Sequence, residues 1–221
     1  MNYYSEKDIR EIVTGMIVRS GLVRDGESGS VTRFPVETSA RHVHLTRNAV
    51  ERLFGAGYRL TKKRELSQAG EFLSQERVKL VTPDGQIENV AVLGPEREQI
   101  QVELSRTDCW ALKLCAPVRL SGHLDGAGDL LMVGPVGVLE AKGCAIVARA
   151  HIHMAPEDAA RLEVRDGESL RVRLETARPL ALEQVIVRIK EGSKLAMHID
   201  QDEANAALAD GETKGYIIGR G

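Results

Sequence analysis

The chain is short of cysteine, of net charge and of long apolar runs, and each shortage removes a class of protein. Its three cysteines, Cys109, Cys115 and Cys144, are scattered through 221 residues without a CxxC pair. An odd number without metal-type spacing argues against a disulfide framework and for a reducing compartment. The three read as small buried hydrophobes. A formal net charge of −2 offers no bulk field to nucleic acid or to a membrane surface. The longest apolar runs are of strand length, well under a spanning helix. The charged N-terminus does not read as a secretory signal. The expectation is a cytoplasmic protein with one large domain or two small ones.

What the chain does have is paired histidine. Four of its six histidines fall in two triplets, Arg41-His42-Val43-His44-Leu45 and Ala150-His151-Ile152-His153-Met154. Residues two apart on a strand share a face, so each triplet aims two imidazoles at one point, which suits metal ligation. Both triplets lead into the same grammar. Thr46 reads as the N-cap of a helix to about Phe54, and Pro156 as the first residue of a second helix. The unit is duplicated.

The duplication nominates further residues. With the triplets aligned, Gln101-Val102-Glu103-Leu104-Ser105 and Ala196-Met197-His198-Ile199-Asp200 correspond. Each is a strand running into a capped helix, the first expected over 106–114 and the second to about Leu208. Glu103 and His198 take equivalent places. Two ligand sets result, His42, His44, Glu103 and His151, His153, His198. Three protein ligands with an open fourth position is the catalytic zinc arrangement, and two such sets meeting at a pseudo-twofold make a two-metal site. Arg97 precedes the Glu103 strand. Its guanidinium would match phosphate or carboxylate oxygens, although on sequence alone a surface arginine is the better reading. His123 sits in a glycine-flanked loop and reads as solvent-facing.

Elsewhere the pattern is of short strands and close turns, which points to barrels or a sandwich rather than a parallel sheet. Phe34 to Leu45 reads as one strand, and so does Ala145 to Met154. Hairpins are expected at 77–93, around Pro83-Asp84-Gly85, and at 130–140. Strands are expected over 169–174, 181–189 and 194–199. Leu66 to Phe72 reads as a loop, and the glycine-rich tail beyond about 210 as loosely held. Ile9, Ile12, Val13, Met16 and Ile17 make an amphipathic helix over about 5–20, followed by a polar linker at 21–29. That helix suits either its own domain or a groove on a partner.

Several of these motifs, in order, resemble one family. Residues 41–45 (RHVHL), 93–97 (LGPER), 101–108 (QVELSRTD), 151–159 (HIHMAPEDA) and 197–206 (MHIDQDEANA) are similar to the PduL-type phosphotransacylases, or phosphate propanoyltransferases. Residues 66–70 (LSQAG) resemble the family's loop, with Ala69 where proline is common. The resemblance covers about 36–210. It implies transfer of a short acyl group, propanoyl or acetyl, from coenzyme A to phosphate. It also implies a mainly β fold with short flanking α-helices, in which two small β-barrels, related by a pseudo-twofold duplication, hold two zinc ions between them. The opening strand then crosses over, so that 30–40 joins 149–215 in one barrel and 41–148 forms the other. The six ligands carry over onto the residues above, and the phosphate-contacting arginine onto Arg97. Residues 1–20 resemble an encapsulation peptide, which implies microcompartment shell or core proteins as partners and a location inside that compartment. A homo-oligomer is the family expectation. Two rival readings stand beside this one. A cupin-like mononuclear enzyme would use His42, His44, Glu103 and one further histidine, leaving a triplet idle. A metal-stabilised shell adaptor would not turn over substrate.

Overall fold

The computed structural model describes Ser5 and residues 31–221. Apart from Ser5, the helix expected over 5–20 and the linker expected at 21–29 lie outside the described residues.

In chain order the elements are β1 (Phe34–Ser39), β2 (His42–His44), α1 (Arg47–Phe54), β3 (Lys62–Glu65), β4 (Phe72–Thr82), β5 (Gly85–Gly94), β6 (Gln101–Leu104), α2 (Arg106–Leu112), β7 (Val118–Arg119), β8 (Gly128–Val133), β9 (Val138–Ala148), β10 (His151–Met154), α3 (Pro156–Arg161), β11 (Ser169–Glu175), β12 (Ala181–Ile189), β13 (Ala196–Asp200), α4 (Gln201–Ala207) and β14 (Lys214–Arg220). The protein is mainly β, with short flanking helices.

The strands close into two six-stranded barrels built alike. In the first, β2 pairs parallel with β5, and β5 antiparallel with β4. β4 then pairs antiparallel with β8, β8 antiparallel with β9, β9 parallel with β6, and β6 antiparallel with β2. In the second, the walk β10, β12, β11, β14, β1, β13 and back to β10 meets the same sequence of parallel and antiparallel pairs. Strand by strand, β2 corresponds to β10 and β6 to β13. β3 and β7 are additions to the first barrel. Closure removes the exposed edges that such short strands would otherwise present. Each barrel has its own apolar core, one around Val43, Leu80, Val102 and Met132, the other around Phe34, Ile152, Leu170 and Met197.

The two stretches read as single strands are each two strands. Phe34 to Leu45 breaks at Ala40-Arg41, and Ala145 to Met154 breaks at Arg149-Ala150. At both breaks the chain leaves one barrel for the other. β1 completes the second barrel and then β2 enters the first; β9 completes the first and then β10 enters the second. No glycine or proline marks either break, because long-range pairing alone makes it.

The helix starts follow the sequence. Thr46 accepts from the Ala49 backbone N–H, and Pro156 opens α3. Ser105–Asp108 and Asp200–Glu203 form reciprocal capping boxes at equivalent places in the two units. α2 stops at Leu112, short of the expected Leu114, because Lys113 turns left-handed at φ 51°. The tail read as loosely held is instead β14, paired with β1 and β11. Its glycines tolerate close neighbours, with Phe34, Val36 and Val172 side-chain atoms 3.1–3.2 Å from where a Gly215 Cβ would lie. Cys109 and Cys144 are buried as expected; Cys115, beyond the end of α2, is exposed. Among the described residues, no helix is long and apolar enough to cross a membrane.

Candidate metal centre

Strand register builds both ligand sets in the same way. His42 sits opposite Glu103 across β2 and β6, and His151 sits opposite His198 across β10 and β13. The second histidine of each triplet follows on the same face. Within each trio, one ligand atom per residue can be chosen so that all lie within 4.8 Å of one another. His42, His44, Glu103 and His151 are almost fully buried; His153 and His198 are partly so. His123 is exposed, as expected.

The two crossovers orient the leading imidazoles. His42 Nδ1 lies 2.9 Å from the Ala40 carbonyl oxygen, and His151 Nδ1 lies 2.8 Å from the Arg149 carbonyl oxygen. A ring bonded at Nδ1 to a carbonyl carries its proton there and offers a bare Nε2. His151 Nε2 indeed faces His153 Nε2 at 3.1 Å. His42 Nε2 and His44 Nε2 lie 3.6 and 3.9 Å from the Glu103 carboxylate. His44 Nδ1 is buried without a hydrogen-bond partner, a state that costs free energy unless something else binds it, and His198 Nε2 lies 3.2 Å from Glu37 Oε2. Two nitrogen-rich donor sets with converging bare nitrogens fit divalent zinc-type ions.

Both trios line one cleft between the barrels, of about 1050 Å³, together with Arg97, Glu71, Ser121, Glu37 and Ser67. Arg97 is placed by its backbone N–H, which donates to the Leu45 carbonyl at 2.8 Å. It follows the tight Gly94–Pro95 turn, where a Cβ on Gly94 would lie 2.2 Å from the Phe72 ring. Its guanidinium donates to Glu71 at 3.0 Å and to Ser121 Oγ at 3.2 Å. Gln101, buried two residues before Glu103, ties this arm to the metal side. It donates to Glu103 Oε1 at 2.6 Å and to Ser121 Oγ at 2.7 Å, and it accepts from the Gly122 N–H at 2.8 Å. The sequence reading missed Gln101, Ser121, Glu71 and Glu37. For Gln101 a signal was present, since it shares the strand face of Glu103.

The profile of the phosphate propanoyltransferase family matches residues 35–210. The chain belongs to this family. Curated phosphate propanoyltransferases are similar over most of their length. That of Leptotrichia buccalis is 50% identical over 174 residues, 78% of this chain and 82% of the relative. That of Sebaldella termitidis is 43% identical over 213 residues, 96% of each. That of Enterococcus faecalis is 44% identical over 185 residues, 84% and 88%. The family consists of phosphate acyltransferases, so the chain is an enzyme of that class. His151 and His153 gather with His198 into a second group able to hold a metal ion, which the cupin-like reading would leave unused.

For a phosphate acyltransferase the electrostatics of the cleft matter before any ion arrives. Burial pushes His151 down to about 4. Burial, followed by the neighbouring His151 and His198, pushes His153 down to about 3. His44 is also lowered, by burial and then His42. Burial alone would raise Glu103, yet His42 outweighs it and holds the carboxyl well below its usual range. At neutral pH His44, His151 and His153 are neutral and Glu103 ionised, the states in which each donates to a metal, whereas for His42 the Glu103 carboxylate outweighs burial and raises the pKa, so that ring holds its proton more readily until a metal displaces it. In the metal-free protein, the imidazole C–H resonances of His151 and His153 are expected to stay at their neutral positions down to about pH 5 and to move only near their depressed values. The stabilising contribution of the pair is therefore whole above the ordinary histidine pKa near 6.5, and is lost as pH falls from there through about 4 and about 3. Either resonance titrating near pH 6.5 would contradict this.

Proposed function

We propose that the enzyme transfers a short acyl group, propanoyl or acetyl, from coenzyme A to inorganic phosphate in a zinc-dependent reaction. His42, His44, Glu103 and His151, His153, His198 would hold two ions, and Arg97 would bind phosphate. The observation that carries this reading is the meeting of both trios and one guanidinium in a single cleft. Bound metal would supply Lewis acidity toward the thioester carbonyl or a phosphate oxygen, and positive charge toward the departing thiolate.

The chain's own groups do the rest. The Arg97 guanidinium presents parallel N–H donors that match two phosphate oxygens, and phosphate entering there would take over the donor now given to Glu71. Ser121 keeps the other guanidinium nitrogen in place, so the phosphate oxygen is oriented toward the carbonyl carbon. That oxygen forms the new C–O bond, the C–S bond breaks, and the sulfur leaves with the electron pair as thiolate. Neither a serine nor a cysteine nucleophile is required. Residues 1–20 are read as the segment that directs the enzyme into a bacterial microcompartment, with 21–29 as its tether and a homo-oligomer as the working form. The amphipathic sequence pattern supports the targeting reading.

The test is thiol release from propanoyl-CoA and acetyl-CoA, measured with and without phosphate, before and after chelation. Release should require phosphate, stop on chelation and return with zinc. Release that ignores phosphate or survives complete metal removal would refute the scheme.

A further inference from the structure

The duplication holds at the ligand positions and breaks beside them. Gln101 faces His44 across β6 and β2, and the matching place opposite His153 is held by Ala196 of β13. Both residues are buried. The trio that contains a carboxylate therefore has an amide next to it, and the trio of imidazoles has only a methyl group. The chain itself orients the Gln101 amide. A backbone N–H can only donate, so the Gly122 N–H at 2.8 Å fixes which end of the amide is oxygen. The amide nitrogen then turns one hydrogen to Glu103 Oε1 at 2.6 Å and the other to Ser121 Oγ at 2.7 Å.

Each of these bonds commits an atom. Glu103 Oε1 is held by Gln101, while Oε2 faces His42 Nε2 at 3.6 Å. Ser121 Oγ accepts from Gln101 and also from Arg97 Nη1 at 3.2 Å. The amide and the hydroxyl thus stand in line between the Glu103 carboxylate and the Arg97 guanidinium. Those two groups carry opposite charges in one cleft, where a lowered dielectric strengthens their attraction. Paired directly, they would leave neither a carboxylate for an ion nor a planar fork for an oxyanion.

Resting on the metal and phosphate reading above, we infer that Gln101 is a positioning residue with two tasks. It turns the Glu103 carboxylate toward the His42–His44 pair, and through Ser121 it keeps the Arg97 guanidinium apart from that carboxylate and free for phosphate. It touches neither ion nor substrate. An amide suits the place because it donates twice and carries no charge. A lysine or arginine there would pair with Glu103, and a carboxylate would repel it. Ala196 needs no such group, because no carboxylate belongs to its trio.

Two substitutions test this. Gln101→Leu removes all three hydrogen bonds, whereas Gln101→Glu keeps an oxygen for the Gly122 N–H and removes both donors. In zinc competition titrations wild type should take two equivalents. Each variant should bind one of them as before and the other about 10–100-fold more weakly. The kcat/KM for phosphate should fall about 10–100-fold in both variants, while the KM for acyl-CoA changes little. Ser121→Ala leaves the Gln101–Glu103 bond in place, so it should lower kcat/KM for phosphate and keep both metal affinities close to wild type. The urea midpoint of each metal-free variant reads stability separately. Gln101 variants that lose stability yet keep both metal affinities and the wild-type phosphate kinetics would overturn the inference and leave the two-metal reading standing. A change in metal affinity alone would refute the link to Arg97. Wild type that takes up no divalent ion would overturn both the inference and the metal reading.

Discussion

Replacing His153 with alanine is expected to remove one bound metal ion and nearly all phosphate-dependent thioester cleavage together. His153 meets His151 nitrogen to nitrogen at 3.1 Å, and its ring packs edge-on against His198, with centroids 4.8 Å apart. Two imidazoles hold a divalent ion far less tightly than three, so one equivalent should be lost while the His42–His44–Glu103 set keeps its own. Removing a single preorganised charge stabiliser from an active site costs about 10²–10³ in rate, and losing the ion should cost at least that much. The protein should stay folded. His153 is only part-buried on a polar cleft wall, and the apolar core beneath it, Ile152 and Met154, is untouched. Metal analysis, the urea midpoint of the metal-free protein and the thiol-release assay read the three effects separately. A variant that turned over at the wild-type rate with one equivalent missing would separate the second site from catalysis and end the two-ion mechanism.

The second large effect is expected at Arg97. Arg97→Ala should lower kcat/KM for phosphate by about 10²–10³-fold, while the KM for acyl-CoA changes little. Arg97→Lys keeps the charge and loses the planar fork, so it should recover only part of the loss. Geometry supports this split. The guanidinium is held by Glu71 and Ser121, and its backbone is pinned to the end of the first histidine strand by the Leu45 carbonyl. Its removal should leave both metal equivalents in place, which distinguishes it from the histidine variant. Unchanged phosphate dependence in both substitutions would mean that phosphate binds elsewhere.

How far the sequence reached can be judged residue by residue. The twin triplets and the caps at Thr46, Ser105 and Asp200 were legible because each depends on spacing of two to four residues, and the equivalence of Glu103 with His198 because both sit in the same strand-then-capped-helix pattern of the duplicated unit. The crossovers at Ala40-Arg41 and Arg149-Ala150 were not legible in the residue pattern, and only the family resemblance implied them. The apolar pattern runs through both, and only pairing with strands far away in the chain separates them. The 62–65 strand was likewise invisible, being four charged residues on a barrel edge. Glu37 escaped notice because an acidic residue in a half-exposed strand position is the ordinary pattern of a solvent face. Its partner, His198, lies 161 residues away. Arg97 was located by motif, but its ties to Glu71 and Ser121 emerge only when the cleft is assembled.

The reciprocal crossovers constrain how substrate arrives. Each barrel's ring includes the strand that runs directly into the other barrel's histidine pair, and only two residues separate strand from strand. Two residues of extended chain reach roughly 7 Å, and both ends are hydrogen-bonded into closed rings. Drawing the barrels apart by the length of a strand would strip that strand from its ring, so the topology opposes wide opening of the cleft. Acyl-CoA would then enter through its mouth past side chains and the 66–70 loop, and the two trios would keep their spacing as it does.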